Sequence, residues 1–181
     1  ALEERVGEAI GEEVREQGGN LFGGVCINLP RHPAWGRIQE TYSDQPVLLG
    51  SLGAALTRGV RRHAMACVKH FACNNSDTRR TRLNCMVEPR ALHEIYLAGF
   101  ERAIKKAAPA AVMGSYNQIN GEQACESPWL LNHVLRELWG FKGAVLSDWG
   151  AVKDSVKAVK AGLDLQMPHS IQYMDSVKKA L

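Results

Sequence analysis

The sequence has no apolar run near the roughly 18 residues that a membrane-spanning helix needs, so no membrane partner is expected. It has little net charge. The balance is +3 at pH 7 from 22 basic and 19 acidic residues, and these are scattered along the chain. That excludes the basic stripe of a nucleic-acid binder. A glycine-rich dinucleotide fingerprint and a P-loop are both missing, so no nucleotide cofactor is expected. Cysteines are few, at positions 26, 67, 73, 85 and 125, without the tight spacing of a metal site, and no metal or other cofactor is expected. Five cannot all pair; apolar or small neighbours favour buried free thiols, and a Cys73–Cys85 bridge rests on proximity alone. There is no linker or low-complexity segment, so the 181 residues read as one domain. Residues 1–17 are charged and amphipathic and do not form a signal peptide, which leaves the compartment open between cytoplasmic and secreted.

What is present alternates between helix and strand. The chain is 45% hydrophobic, enough for a sizeable core. Leu2, Val6, Ile10 and Val14 share a helical period that Gly18-Gly19 ends. Residues 21–29 read as a strand and its exit. Pro46 opens a helix with Leu48, Leu52, Leu56 and Val60 on one face. Residues 65–69 form a short buried strand. Pro89 opens the next helix, with Leu92, Tyr96, Phe100 and Ile104 on one side. Residues 110–114 are a strand. Ser127-Pro128 starts a helix carrying Leu131, Leu135 and Leu138, which Gly140 ends. Strand 143–147, helix 151–161, strand 163–167 and a last helix from Ile171 to Leu181 complete the pass. This alternation predicts a parallel α/β sheet, either doubly wound or a (β/α)8 barrel. A barrel has eight units and typically ~250 residues, so about five units make a partial TIM-like barrel.

The polar residues that stand out share one position. Lys69-His70, Ser115-Tyr116-Asn117 and Ser147-Asp148-Trp149 each follow a strand, and Arg37 lies in the loop after the first. In a parallel barrel that is the C-terminal face, where active sites are built. A carboxylate, cations, a tyrosine and a tryptophan together suit a polar ligand with a flat apolar face, such as a sugar. Each residue also has a purely structural reading. Asp148 caps a helix starting near Ala151, His70 is a satisfied core histidine, Tyr116 and Trp149 are core aromatics, and Glu40 pairs with Arg37. Asn74-Asn75-Ser76 matches a glycosylation acceptor but falls in the candidate site loop.

Four blocks carry a resemblance: HPAWGRIQETYSDQP (32–46), VKHFACNNSDTRR (68–80), MGSYNQINGEQACESPWLL (113–131) and GFKGAVLSDWGAV (140–152). In order and spacing they resemble glycoside hydrolase family 3, the β-glucosidase group, over nearly the whole chain. The resemblance implies an N-terminal catalytic barrel domain truncated at both ends, with Asp148 as the catalytic nucleophile. It implies that Lys69, His70 and Arg37 bind hydroxyls of the sugar in subsite −1. Tyr116 then lies beside the nucleophile, Trp149 belongs to the sugar platform, and Arg80 supports the Lys-His loop. The family usually has glutamate where Asp77 stands. A sugar-binding aspartate of the family precedes Ala1, and its acid/base glutamate lies in a second domain beyond Leu181. The N-acetylglucosaminidase branch has Lys-His-Phe-Pro-Gly-His, whereas Lys69-His70-Phe71 here leads to Ala72-Cys73-Asn74.

The resemblance therefore implies a retaining glycosidase acting on terminal β-linked sugars of the glucosidase or xylosidase type. Such enzymes hold two carboxyl groups ~5–5.5 Å apart, one attacking the anomeric carbon and one protonating the leaving oxygen. The expected partner is a glycoside substrate, and the fragment by itself is expected to be weak or inactive. Two other readings stand beside this one: a Schiff-base aldolase-type barrel using Lys69, and a non-catalytic sugar-binding fragment.

Overall fold

The computed structural model describes residues 2–168 and 171–180. Ala1 and Leu181, the outer ends of the first and last predicted helices, lie outside the described residues. The elements alternate as the sequence predicts. Helix α1 spans Leu2–Glu16, β1 Leu21–Cys26, α2 Pro46–Val60 and β2 Met65–Phe71. Helix α3 runs continuously through Pro89–Ala91, a π-type turn at Leu92–Leu97, and Ala98–Ala107. Strand β3 spans Ala111–Gly114, the π-type helix α4 Trp129–Leu138, β4 Ala144–Leu146, α5 Ser155–Lys160 and α6 Ile171–Ala180. Among the described residues no helix is long and apolar enough to cross a membrane.

The strands pair in parallel in the order β1-β2-β3-β4, which is also their order in the chain. A doubly wound sheet reverses its strand order at a switch point. Sequential order with helical crossovers is the winding of a barrel, so this is an α/β fold with a barrel-type arc. The predicted fifth strand, 163–167, is reduced to one bridge, Leu146 to Leu165. The cause is local. Asp164 Oδ2 accepts the Val145 amide at 2.7 Å, taking a donor the ladder needs, while Ser147 Oγ accepts the Met167 amide at 2.8 Å. Side chains thus replace backbone partners along this edge. A three-stranded ribbon of Asn84–Cys85, Gln118–Ile119 and Glu122–Gln123 also forms from residues that read as loop.

Period-two alternation splits the sheet into two faces. Val68, Val112 and Val145 belong to the main core beneath the helices; Cys67, Ala111, Met113 and Leu146 form a second cluster on the inner face. Lys69 follows Cys67 by two residues and Asp148 follows Leu146 by two, so both continue the inner row. The end of β2 is wedged by Phe71, which is fully buried. Its ring sits 5.2 Å from Phe100 at 64° and 5.7 Å from Trp139 at 60°. Burial of such a side chain contributes about 1.5–3 kcal/mol.

Three predicted helix faces reach the core through Ile10 and Val14, Leu56 and Val60, and Leu131 and Leu135, and are corrected at their other positions. Leu2 and Val6 are exposed, and α1 buries Gly7 and Gly11. These glycines allow α1 to lie directly on α2: a Cβ on Gly7 would strike Leu56 O, and one on Gly59 would strike Glu4 O. On α2, Leu48 is exposed and Leu49 takes the core position. On α4, Leu138 is exposed. The i→i+5 bonding of that helix, ending in Trp139 N–H to Val134 O at 3.1 Å, rotates Leu138 off the face of Leu131 and Leu135. The predicted helix 151–161 begins later, at Ser155. Asp154 caps it, Oδ1 accepting the Val156 and Lys157 amides at 3.0 Å each. All five cysteines are free, four of them buried and Cys85 half-buried. Asn74, the matched glycosylation acceptor, is fully buried.

Close backbone contact at Gly59 is therefore required for the α1–α2 crossing. Gly59→Ala should lower unfolding stability by about 1–3 kcal/mol, the usual cost of overpacking. A urea titration that leaves the midpoint unchanged would contradict this close-contact account.

Candidate active site

The strand exits bring the predicted residues together. The Ile27 amide donates to Lys69 O at 2.9 Å, which sets Asn28 opposite His70. Asn28 Oδ1 accepts the His70 backbone N–H at 2.8 Å and lies 2.9 Å from His70 Nδ1, while Asn28 Nδ2 donates to His70 O at 2.8 Å. The Asp148 amide donates to Gly114 O at 3.2 Å, carrying β4's exit alongside that of β3. Asp148 does not cap a helix; that role falls to Asp154. Asp148 Oδ1 accepts the Trp149 amide at 2.7 Å. Its Oδ2 is buried without a hydrogen-bond donor among the described residues and lies 3.5 Å from His70 Nε2.

These groups line a cleft of about 460 Å3, within the ~300–1,000 Å3 of small-molecule sites. Arg37, Lys69, His70, Asp148 and Trp149 face it, over a floor that includes Met113, Leu146 and Met167. Asp148 is the one carboxylate in that lining among the described residues. Trp149 is 60% exposed, so its ring is an open surface and not a core aromatic.

The cations are already engaged. Arg37 Nε and Nη2 donate to the two oxygens of Glu40 at 2.5 and 2.8 Å, and Lys69 Nζ lies 3.6 Å from Glu40 Oε2. The Arg37 hydrogen bond holds the Glu40 carboxyl below its usual range, and the Glu40 hydrogen bond raises Arg37. His70 is 1% exposed. Burial first, then the charges of Arg37, Lys69 and Arg80, lowers its pKa to about 2. The ring is neutral at physiological pH. It is a buried, hydrogen-bonded histidine and a cleft residue at once.

Tyr116 does not line the cleft. It is 7% exposed, and burial, then the neighbouring Asp148 charge, pushes its hydroxyl up to about 12. Arg80 holds its guanidinium 4.7 Å above the Tyr116 ring centroid and pairs with Asp77 at 3.1 Å. The shorter Asp77 therefore still reaches its partner. A Cβ on Gly36 would come within 2.6 Å of Asp77 Oδ2, so this pair abuts the Arg37 loop.

Three residues were missed in the sequence. Asn28 holds His70. Gln123 Nε2 donates to Tyr116 O at 2.6 Å and Ala151 O at 3.1 Å, tying the loops after β3 and β4 together. Glu126 Oε1 accepts the Lys153 and Asp154 amides at 2.5 and 2.7 Å. Each is a buried polar side chain bonded to backbone far away in sequence, a pairing that local pattern does not show. Among the described residues no cluster of three or more His, Cys, Asp or Glu is placed to hold a metal ion.

The profile of the glycosyl hydrolase family 3 N-terminal domain matches residues 2–181. The chain is 46% identical over 170 residues to thermostable beta-glucosidase B of Acetivibrio thermocellus, covering 93% of this chain and 22% of that protein. It is 43% identical over 167 residues to an exo-alpha-(1->6)-L-arabinopyranosidase of Bifidobacterium longum, covering 92% and 22%. Beta-glucosidase 3B of Thermotoga neapolitana, solved with glycerol, superposes with a TM-score of 0.97 at 44% identity, covering 99% of this chain and 26% of that one. The chain thus spans about a quarter or less of these relatives.

The neutral His70 has a consequence for stability. An unfolded histidine takes up a proton below about pH 6.5; the folded His70 does so only near 2. Between those values the unfolded state binds more protons, so stability falls as pH falls through the window. The expected share from His70 is about 1.4 kcal/mol per pH unit between about pH 6 and 5. His70→Gln should remove that share. Urea unfolding of both proteins across this range checks it, and equal slopes would contradict a buried neutral ring.

Proposed function

The chain belongs to glycosyl hydrolase family 3, and on that premise we propose that it supplies the nucleophile and sugar-binding part of a retaining β-glycosidase. The observation that carries this reading is the state of Asp148. One oxygen is held at 2.7 Å by the Trp149 amide, and the other is buried in the cleft without a donor. A carboxylate fixed by one oxygen and free at the other is suited to attack. In the first step Oδ2 bonds to the anomeric carbon and the glycosidic bond breaks. The leaving oxygen takes a proton from an acid. Water then cleaves the glycosyl ester, with the same acid group acting as base.

Lys69, His70 and Arg37 grip hydroxyls of the sugar bound at the nucleophile, with Trp149 as an apolar platform. Tyr116 backs Asp148, and Arg80 with Asp77 steadies that wall. The substrate class is a terminal, non-reducing β-linked sugar of the glucoside or xyloside type. We place the proton donor outside these 181 residues, on a glutamate of a second domain. The presence of a single carboxylate, Asp148, in the cleft lining among the described residues supports that placement. Residues 1–181 then act as an incomplete barrel domain, and the chain alone is weak or inactive. A sugar-binding role without turnover would share the cleft but not need the free Oδ2. A Schiff-base role for Lys69 is disfavoured by its pairing with Glu40.

The test compares three proteins on aryl glucosides and xylosides: the product of the complete gene, its Asp148→Asn variant, and the 181-residue chain. Asp148→Asn should lose several orders of magnitude in kcat, because the covalent route is gone. The short chain should turn over about 10²–10⁴-fold more slowly or not at all, for want of positioned proton transfer. Comparable turnover by the short chain would place the donor inside this sequence. Borohydride trapping of a keto substrate on Lys69 would replace the glycosidase reading with an aldolase.

A further inference from the structure

The two ring nitrogens of His70 have different neighbours. Nδ1 lies 2.9 Å from Asn28 Oδ1, and Nε2 lies 3.5 Å from Asp148 Oδ2. Which nitrogen carries the proton is set by the hydrogen bond at the other. Here the answer depends on which end of the Asn28 amide faces Nδ1, and that end is fixed. The His70 backbone N–H donates to Asn28 Oδ1 at 2.8 Å, while Asn28 Nδ2 donates to the His70 carbonyl at 2.8 Å. Turning the amide over would oppose two donors at one end and two acceptors at the other, at a side chain 2% exposed. Oδ1 must therefore face Nδ1. An amide oxygen only accepts, so Nδ1 must carry the proton.

Resting on the reading of Asp148 as nucleophile, we propose that Asn28 is a positioning residue that locks His70 in its Nδ1–H tautomer and turns Nε2 into the cleft as an acceptor. Two consequences follow. First, Nε2 has no proton to give Asp148 Oδ2, which agrees with that oxygen having no donor among the described residues. An Nε2–H at this place would bond to the carboxylate in the ground state and blunt its attack. Second, Nε2 and Oδ2, 3.5 Å apart, are two acceptors beside one another. A ligand group that fits there must donate, so His70 selects a sugar bearing a free hydroxyl at that position. A hydrogen or fluorine there gives Nε2 nothing to accept, although fluorine can itself accept.

Nitrogen-15 NMR of the histidine ring, on the protein expressed from its complete gene, tests the lock without substrate. His70→Gln identifies the signal. At neutral pH Nδ1 should appear protonated and Nε2 unprotonated. In Asn28→Ala the proton should leave Nδ1 for Nε2, and kcat should fall about 10–100-fold with a smaller change in KM. Deoxy and deoxyfluoro substrates altered at the hydroxyl reaching His70 should lose kcat/KM alike. A protonated Nε2 in the unsubstituted protein overturns the proposal, whether or not Asn28→Ala folds. So does an Asn28→Ala protein whose proton stays on Nδ1, or a fluorinated substrate that outperforms the deoxy one. Failure of the glycosidase reading would instead show as undiminished turnover in Asp148→Asn, with the histidine spectrum unaffected.

Discussion

Backbone hydrogen bonds that run past the ends of the strands hold the candidate site together. Ile27 donates to Lys69 O, Ser115 to Phe71 O, and Asp148 to Gly114 O, at 2.9, 2.9 and 3.2 Å. Each extends the parallel ladder a step beyond its strand, so the loops leave the sheet in register. Side chains then cross-link them: Ser115 Oγ and Asn117 Nδ2 both donate to Ala72 O, and Gln123 spans the exits of β3 and β4. A carboxylate and an imidazole from different strands stay 3.5 Å apart because their backbones are tied in this way.

Within that frame the polar groups divide into engaged and free. Glu40 takes up both Arg37 and Lys69, which places two cations beside the cleft without leaving them bare. Asn28 satisfies the His70 backbone and Nδ1 together. Buried polar groups without partners are costly, so a free one at a cleft invites a functional reading. Asp148 Oδ2 is such a group. A ligand donating a hydrogen bond would recover there what the fold leaves unmade.

Much of this was legible in the sequence, and the failures have physical causes. Strand–helix alternation placed Lys69, His70, Asp148 and Trp149 at strand ends, and the structure gathers them in one cleft with Arg37. Tyr116 was expected beside Asp148 and does neighbour that carboxylate, but outside the cleft lining, with Arg80 over its ring. Apolar periodicity failed where contact depends on the absence of a side chain: Gly7, Gly11 and Gly59 make the α1–α2 crossing, while Leu2 and Val6 stay exposed. It failed again at Leu138, where π-type bonding changes the phase. The strand expected at 163–167 shrinks to one bridge because Asp164 takes the Val145 amide from its ladder. Asn28 carried no signal because its partner is 42 positions away.

The measurement that bears most directly on the central claim is covalent trapping. A 2-deoxy-2-fluoro glycoside with a dinitrophenyl leaving group should inactivate the protein expressed from its complete gene, since the fluorine slows release of the glycosyl-enzyme and the activated leaving group needs little protonation. Peptide mass mapping should then find the sugar on the peptide containing Asp148. A label on any other carboxylate, or rapid turnover with inverted anomeric configuration and no label, would contradict the account.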